Sequence, residues 1–66
     1  MTREAREFYR ILLEKKYIES NDIIEFDFAN DLITKVMQIK CITELINEGK
    51  IEEIYASPTY GQYKIK

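Results

Sequence analysis

The sequence predicts an α+β fold, helices followed by a C-terminal β-hairpin, in a single domain spanning residues 1–66. Three observations carry that expectation. Apolar residues recur every three or four positions through most of the first fifty residues, which is the helical period. Gly49 stands where the periodic run stops, the position where a left-handed C-terminal cap favours glycine. Beyond it the pattern changes to period two on both sides of Ser57-Pro58-Thr59-Tyr60-Gly61, a turn between two strands.

The first helix is expected from about Arg3 to Lys16. Thr2 is its cap, because a hydroxyl there accepts a free backbone N–H. Ala5, Phe8, Tyr9, Leu12 and Leu13 form the apolar stripe and Ile11 widens it; Arg3, Arg6, Glu7, Arg10, Glu14 and Lys15 fill the rest.

Residues 23–28 carry two conflicting signals. Ile24, Phe26 and Phe28 alternate with Glu25 and Asp27, and β-branched and aromatic residues favour a strand. Ser20 or Asn21 also suits the cap of a short helix carrying Ile23, Ile24, Asp27 and Phe28. Asn30 and Asp31 then cap a helix over Leu32–Glu48. Leu32, Val36, Ile39, Ile42 and Ile46 lie on one side of it, and Ile33, Met37, Cys41 and Leu45 on the other. A helix apolar on two sides is either central in the domain or part of an interface. Met37, Cys41 and Leu45 are therefore assigned to a dimer or partner contact.

The hairpin strands are expected at Ile51–Ala56 and Tyr60–Ile65. On the first, Ile51, Glu53 and Tyr55 share a face opposite Glu52, Ile54 and Ala56. On the second, Tyr63 and Ile65 oppose Gln62, Lys64 and Lys66. Pro58 pre-sets the bend, and Gly61 relieves strain at the turn exit.

Composition narrows the function classes. With one Cys and no His there is no disulfide or zinc staple, and a chain of 66 residues is marginal alone. A lone cysteine suits a reducing compartment, and no signal peptide or membrane-spanning run is visible, so the cytoplasm is expected. Without His, a glycine-rich phosphate loop or a calcium-loop ligand order, no catalytic constellation, metal site or cofactor site is expected, and the chain is read as no enzyme. The formal net charge is −2. The acid is concentrated in Asp22, Glu25, Asp27 and Asp31, a stretch with no basic residue, whereas residues 33–50 hold Lys35, Lys40 and Lys50 against Glu44 and Glu48.

Ile42-x-x-Leu45-x-x-x-Gly49-x-Ile51 followed by the hairpin resembles the end of the third helix and the wing of the winged helix-turn-helix superfamily, in particular its small phage- or plasmid-type DNA-binding domains. The resemblance covers residues 32–66 well and residues 1–31 loosely. In that family the third helix enters the major groove and the wing tip touches the DNA backbone or minor groove. The resemblance implies a winged helix-turn-helix-like fold, with a short strand near Tyr17-Ile18 and a helix, rather than a strand, over residues 23–28. It implies double-stranded DNA as partner. Lys35 and Lys40 fall where the family has basic contacts, with Thr34 and Gln38 on the same helix and Thr59, Tyr60 and Gln62 at the wing tip. Two residues depart from the pattern: Gln38 stands where an apolar core residue is usual, and Ile39 where a small polar one is usual.

Two functions follow as expectations. One is a small DNA-binding transcriptional regulator, a homodimer, using the Leu32–Glu48 helix and the 51–66 wing. The other is a protein-binding inhibitor or adaptor on the same scaffold. It would dock the Met37/Cys41/Leu45 strip or the acidic Asp22–Asp31 segment onto a host protein without binding nucleic acid.

Overall fold

A computed structural model describes residues 1–66. The chain is α+β, with two helices and a three-stranded antiparallel sheet: α1 (Arg3–Glu19), β1 (Ile23–Asp27), α2 (Leu32–Asn47), β2 (Ile51–Ala56) and β3 (Tyr60–Ile65). The sheet order is β1-β3-β2, so α2 crosses over the sheet between its two edge strands.

Helix α1 begins as expected. The Thr2 hydroxyl accepts the Ala5 N–H at 3.2 Å. The helix runs on past Lys16 through Tyr17 and Ile18, where the family resemblance implied a strand. Both side chains are strongly exposed. Ser20 stops it in the left-handed region at φ 51°, its N–H bonded to the Lys16 carbonyl.

Residues 23–27 form a strand, which corrects the helix implied by the family pattern. Asn21 caps no helix; its Oδ1 accepts the Ile23 N–H at 3.0 Å and turns the chain into the sheet. Ile24 is buried, Phe26 is half-buried, and Glu25 and Asp27 face solvent. The ladder to β3 pairs Ile24 with Tyr63 and Phe26 with Gly61, and Phe28 N–H extends it to the Thr59 carbonyl at 2.9 Å. The alternation and the long-range ladder together outweigh the local helix signal.

Asp31 caps α2, accepting the Thr34 N–H at 2.9 Å and the Thr34 hydroxyl at 2.8 Å. The far end closes on Gly49 at φ +73°. Gly49 N–H bonds the Ile46 carbonyl at 3.0 Å, and Lys50 N–H bonds the Leu45 carbonyl at 2.9 Å. These two bonds make a Schellman cap, which satisfies carbonyls the helix leaves open. Chain direction reverses there, and β2 starts two residues later.

The hairpin turns through Pro58 and Thr59, with Ser57 N–H on the Tyr60 carbonyl at 2.8 Å. A bulge between Glu53 and Tyr55 corrects the simple alternation of β2. Ile51 and Glu53 oppose Ile65 and Tyr63, but after the bulge Tyr55 opposes Gln62 and Ala56 opposes Gly61. One extra residue thus moves Tyr55 to the face of Glu52, the outer one. Gly61 also has a different role from the one expected. A Cβ there would sit 2.6 Å from the Tyr63 ring. Its lack of a side chain leaves room for that ring, which stacks on Phe26 with centroids 5.8 Å apart.

Both helices pack on one sheet face. Leu12 from α1, Ile42 and Leu45 from α2, Ile24, Ile51, Tyr63 and Ile65 from the sheet, and Phe28 form the core, with Phe8, Tyr9, Phe26 and Ile46 against it. The other sheet face has no helix over it. The free edge of β1 is partly covered by Lys15, whose Nζ donates to the Glu25 carbonyl at 2.9 Å, and the β2 edge is bent by its bulge. Both devices discourage edge-to-edge pairing.

Candidate docking surface on the second helix

The packing of α1 and the sheet against α2 decides which of its apolar sides is inside. Cys41, Ile42 and Leu45 are buried. Leu45 is 0% exposed, so it belongs to the core and not to the partner contact assigned from sequence. Cys41 is buried as well, its thiol pushed up in pKa first by burial and then by the charges of Glu4 and Glu44. Of the expected strip only Met37 is exposed. The physical reason is that α1 and the sheet both pack against α2, and Ile42 and Leu45 enter one core shared with Leu12 of α1 and with Ile24, Ile51, Tyr63 and Ile65 of the sheet.

What remains outside is a different set. Leu32, Ile33, Val36, Met37 and Ile39 are all exposed, from 42% at Val36 to 75% at Ile33. They share the outward half of α2 with Lys40 and Thr43, both exposed. No acidic side chain stands between Leu32 and Thr43. Leu32, Val36, Ile39 and Thr43 are spaced four, three and four apart, which is the seam spacing of paired helices. The groove beside it, between α1 and α2, continues the apolar surface through Phe8, Ile11 and Met37. Contiguous exposed apolar surface of this kind marks interaction sites on small proteins.

The residues expected to meet DNA are spread over two separate regions, and most of them use their polar atoms inside the fold. Thr34 donates its hydroxyl to the Asp31 cap. Gln38 is half-buried, and its Oε1 accepts the Ala29 N–H at 3.0 Å, fastening the loop between β1 and α2. It does point inward, as an apolar residue at that position would, while Ile39 points out. Lys35 is half-buried. Lys40 is exposed and in no ion pair. Thr59 is exposed at the hairpin turn, where its carbonyl serves Phe28.

Tyr60 and Gln62 lie on the outer sheet face and converge on Glu25. The Tyr60 hydroxyl donates to the Glu25 carboxylate. Gln62 Nε2 donates to the same oxygen at 3.1 Å and to the Tyr60 hydroxyl oxygen at 2.9 Å. The Tyr60 bond first, and the Gln62 bond second, hold the Glu25 carboxyl below its ordinary pKa, so it is an anion near neutrality. Glu52 lies on this face opposite Lys64, and Tyr55 opposite Gln62. A carboxylate thus stands directly against Tyr60 and Gln62, on the surface expected to approach phosphates. Glu25 was not legible as that anchor, because its partners are 35 and 37 residues away.

Three of the four side chains of the acidic segment are likewise engaged: Asp22 pairs with Lys16 at 3.3 Å, Glu25 holds the sheet face and Asp31 caps α2, while Asp27 is exposed. No helix is long and apolar enough to cross a membrane. No protein-family model, curated protein or solved structure matches this chain.

Proposed function

We propose that this chain is a small protein-binding module, an adaptor or inhibitor, that docks through the outward face of α2. The observation carrying this reading is the run of five exposed aliphatic side chains, Leu32, Ile33, Val36, Met37 and Ile39, on a helix whose other side builds the core. A groove-reading helix needs donors and acceptors for base edges and cations for phosphates. This face offers one free lysine and one threonine hydroxyl, and is otherwise hydrocarbon. Hydrophobic side chains covered by a partner gain roughly 25 cal/mol per Å² of apolar surface removed from water, so the same face suits a protein partner.

The test is site-specific photo-crosslinking. A benzoylphenylalanine at Ile33 is expected to give protein adducts in cell extract that Val36→Glu removes, and one at Thr59 none. Adducts confined to Thr59, or adducts at Ile33 insensitive to Val36→Glu, would contradict the reading.

A second reading keeps the DNA-binding regulator. It is favoured by the unpaired, exposed Lys40 and by the glycine-capped helix that leads into a C-terminal hairpin. Under it, the protein shifts duplex DNA in a low-salt mobility assay and Lys40→Glu abolishes the shift. No shift at about 10–100 µM protein, a range weaker than nonspecific duplex binding at low salt, would remove it.

A further inference from the structure

We propose that the helix-free face of the sheet is a binding site for arginine side chains in a basic segment of another protein. The outward face of α2 has no part in it, so this site and the docking reading above stand or fall separately. Register builds the site. The ladders lay Tyr55, Gln62 and Glu25 in one row across β2, β3 and β1, and set Asp27 beside Tyr60 in the next row. Carboxylates outnumber cations on this face: Glu25, Asp27 and Glu52 stand against Lys64 alone. Lys15 reaches over the β1 edge, but its ammonium goes to the Glu25 backbone carbonyl at 2.9 Å and to Glu19 at 3.8 Å. Asp27 is exposed and in no ion pair. A face with this excess of negative charge is complementary to a cationic partner.

The surroundings of the charge favour a guanidinium over an ammonium. The bonds from Tyr60 and Gln62 both fall on Oε2 of Glu25, which leaves its Oε1 without a donor from the protein. A carboxylate already held in place needs less ordering when a ligand arrives. Beside it the Tyr55 and Tyr60 rings lie with centroids 6.2 Å apart and planes tilted by 50°. Tyr55 is 54% exposed, so its ring is open to a ligand. A guanidinium stacks on such a ring and forks onto a carboxylate; an ammonium is a compact, strongly hydrated charge that does neither as well. Spacing supplies a second position. Glu25 and Asp27 are alternate residues of β1, about 7 Å apart along the strand, and alternate side chains of an extended peptide repeat at the same interval. A segment with arginine at every second residue therefore sets one guanidinium at Glu25 and the tyrosine pair, and the next at Asp27.

The experiment titrates the isotope-labelled full chain, followed by amide NMR, with the capped peptide Gly-Arg-Gly-Arg-Gly. Its lysine counterpart is run at equal ionic strength, and duplex DNA at low salt. The arginine peptide is expected to move the signals of Glu25, Tyr55, Tyr60 and Gln62, with half-saturation below about 5 mM. The lysine peptide should bind at least about threefold more weakly. Tyr55→Ala should weaken arginine-peptide binding by about threefold, as loss of an exposed cation–π contact does. Glu25→Gln keeps an oxygen for Tyr60 and Gln62 but removes the charge, and should also cost about threefold. The double variant should lose about tenfold, since the two sites contribute separately. Both positions are exposed, and far-ultraviolet circular dichroism checks that each variant keeps the fold. No saturable shift by about 20 mM peptide overturns the site. Equal binding of the two peptides overturns the choice of arginine. Unchanged binding in the double variant, or movement of the same signals by duplex DNA and not by peptide, overturns the assignment of this face to a basic protein segment.

Discussion

The two sides of α2 are made of the same kinds of residue but differ in what covers them. Cys41, Ile42 and Leu45 lie under α1 and the sheet, whereas Leu32, Ile33, Val36, Met37 and Ile39 face solvent. The buried side lies toward the C-terminal half and ends in the Schellman cap at Gly49; the exposed side lies toward the N-terminal half, near the Asp31 cap. Hydrophobicity alone therefore does not decide which residues hold this fold together. Geometry does: the two α1 and sheet contacts fix the roll of the helix, and the rest of its apolar surface is left for a partner.

The comparison breaks first at a pair of truncations. Leu45→Ala is expected to destabilise the fold by about 2–5 kcal/mol, the cost of a cavity in a packed core. Ile33→Ala should stay within about 0.5 kcal/mol, as exposed sites do. Urea denaturation measures both. Equal effects would erase the distinction between the sides.

Gly61→Ala sharpens the same contrast from the sheet. Its new Cβ would press on the buried Tyr63 ring, and overpacking of this kind costs about 1–3 kcal/mol. The loss should be recovered in part by Tyr63→Leu in the same chain, which removes the ring edge. No loss on Gly61→Ala would place the Tyr63 ring elsewhere.

Acid acts on contacts outside the core. The carboxyls of Glu25, Asp31 and Glu44 are all held below their ordinary pKa. The Tyr60 and Gln62 side chains do this for Glu25. The Thr34 N–H, then its hydroxyl, does it for Asp31, and the Thr2 hydroxyl, then its N–H, for Glu44. A folded state with lowered pKa values binds protons less readily than the unfolded chain. These groups therefore contribute stability in full above the ordinary carboxyl value, 4.5 for glutamate, and lose it as pH falls through the lower folded values. Urea midpoints should fall on acidification below that value, and Tyr60→Phe should flatten the dependence. A midpoint rising with acid would contradict the bonding at Glu25.

The smallest effect is expected at Lys40. It is exposed and unpaired, so Lys40→Glu should change stability by no more than about 0.5 kcal/mol. A larger loss would mean that the outward side of α2 contributes to the monomer fold after all.

How much of this was legible in the sequence depends on how local the deciding interaction is. The Thr2 and Asp31 caps, the Gly49 stop and the two hairpin strands are set within a few residues, and each lies where its residue type predicts. Residues 23–27 were ambiguous because strand and helix signals coexist there. The decision comes from a ladder to residues 60–64, far along the chain. The two sides of α2 were indistinguishable by period, so Leu45 was assigned outward while Leu32, Val36 and Ile39 carried no surface role. The β2 bulge and the Glu25 cluster left no local mark at all.

The most direct measurement is methyl and amide NMR of the isotope-labelled chain, titrated first with cell extract and then with duplex DNA at low salt. The expected result is shifts or broadening at Leu32, Ile33, Val36, Met37 and Ile39 with the extract, no response at Leu45, and no response to the duplex at Lys40, Thr59, Tyr60 or Gln62. Aliphatic signals unchanged by the extract, together with duplex-induced shifts at Lys40 and the hairpin turn, would contradict the assignment of the outward α2 face to protein docking.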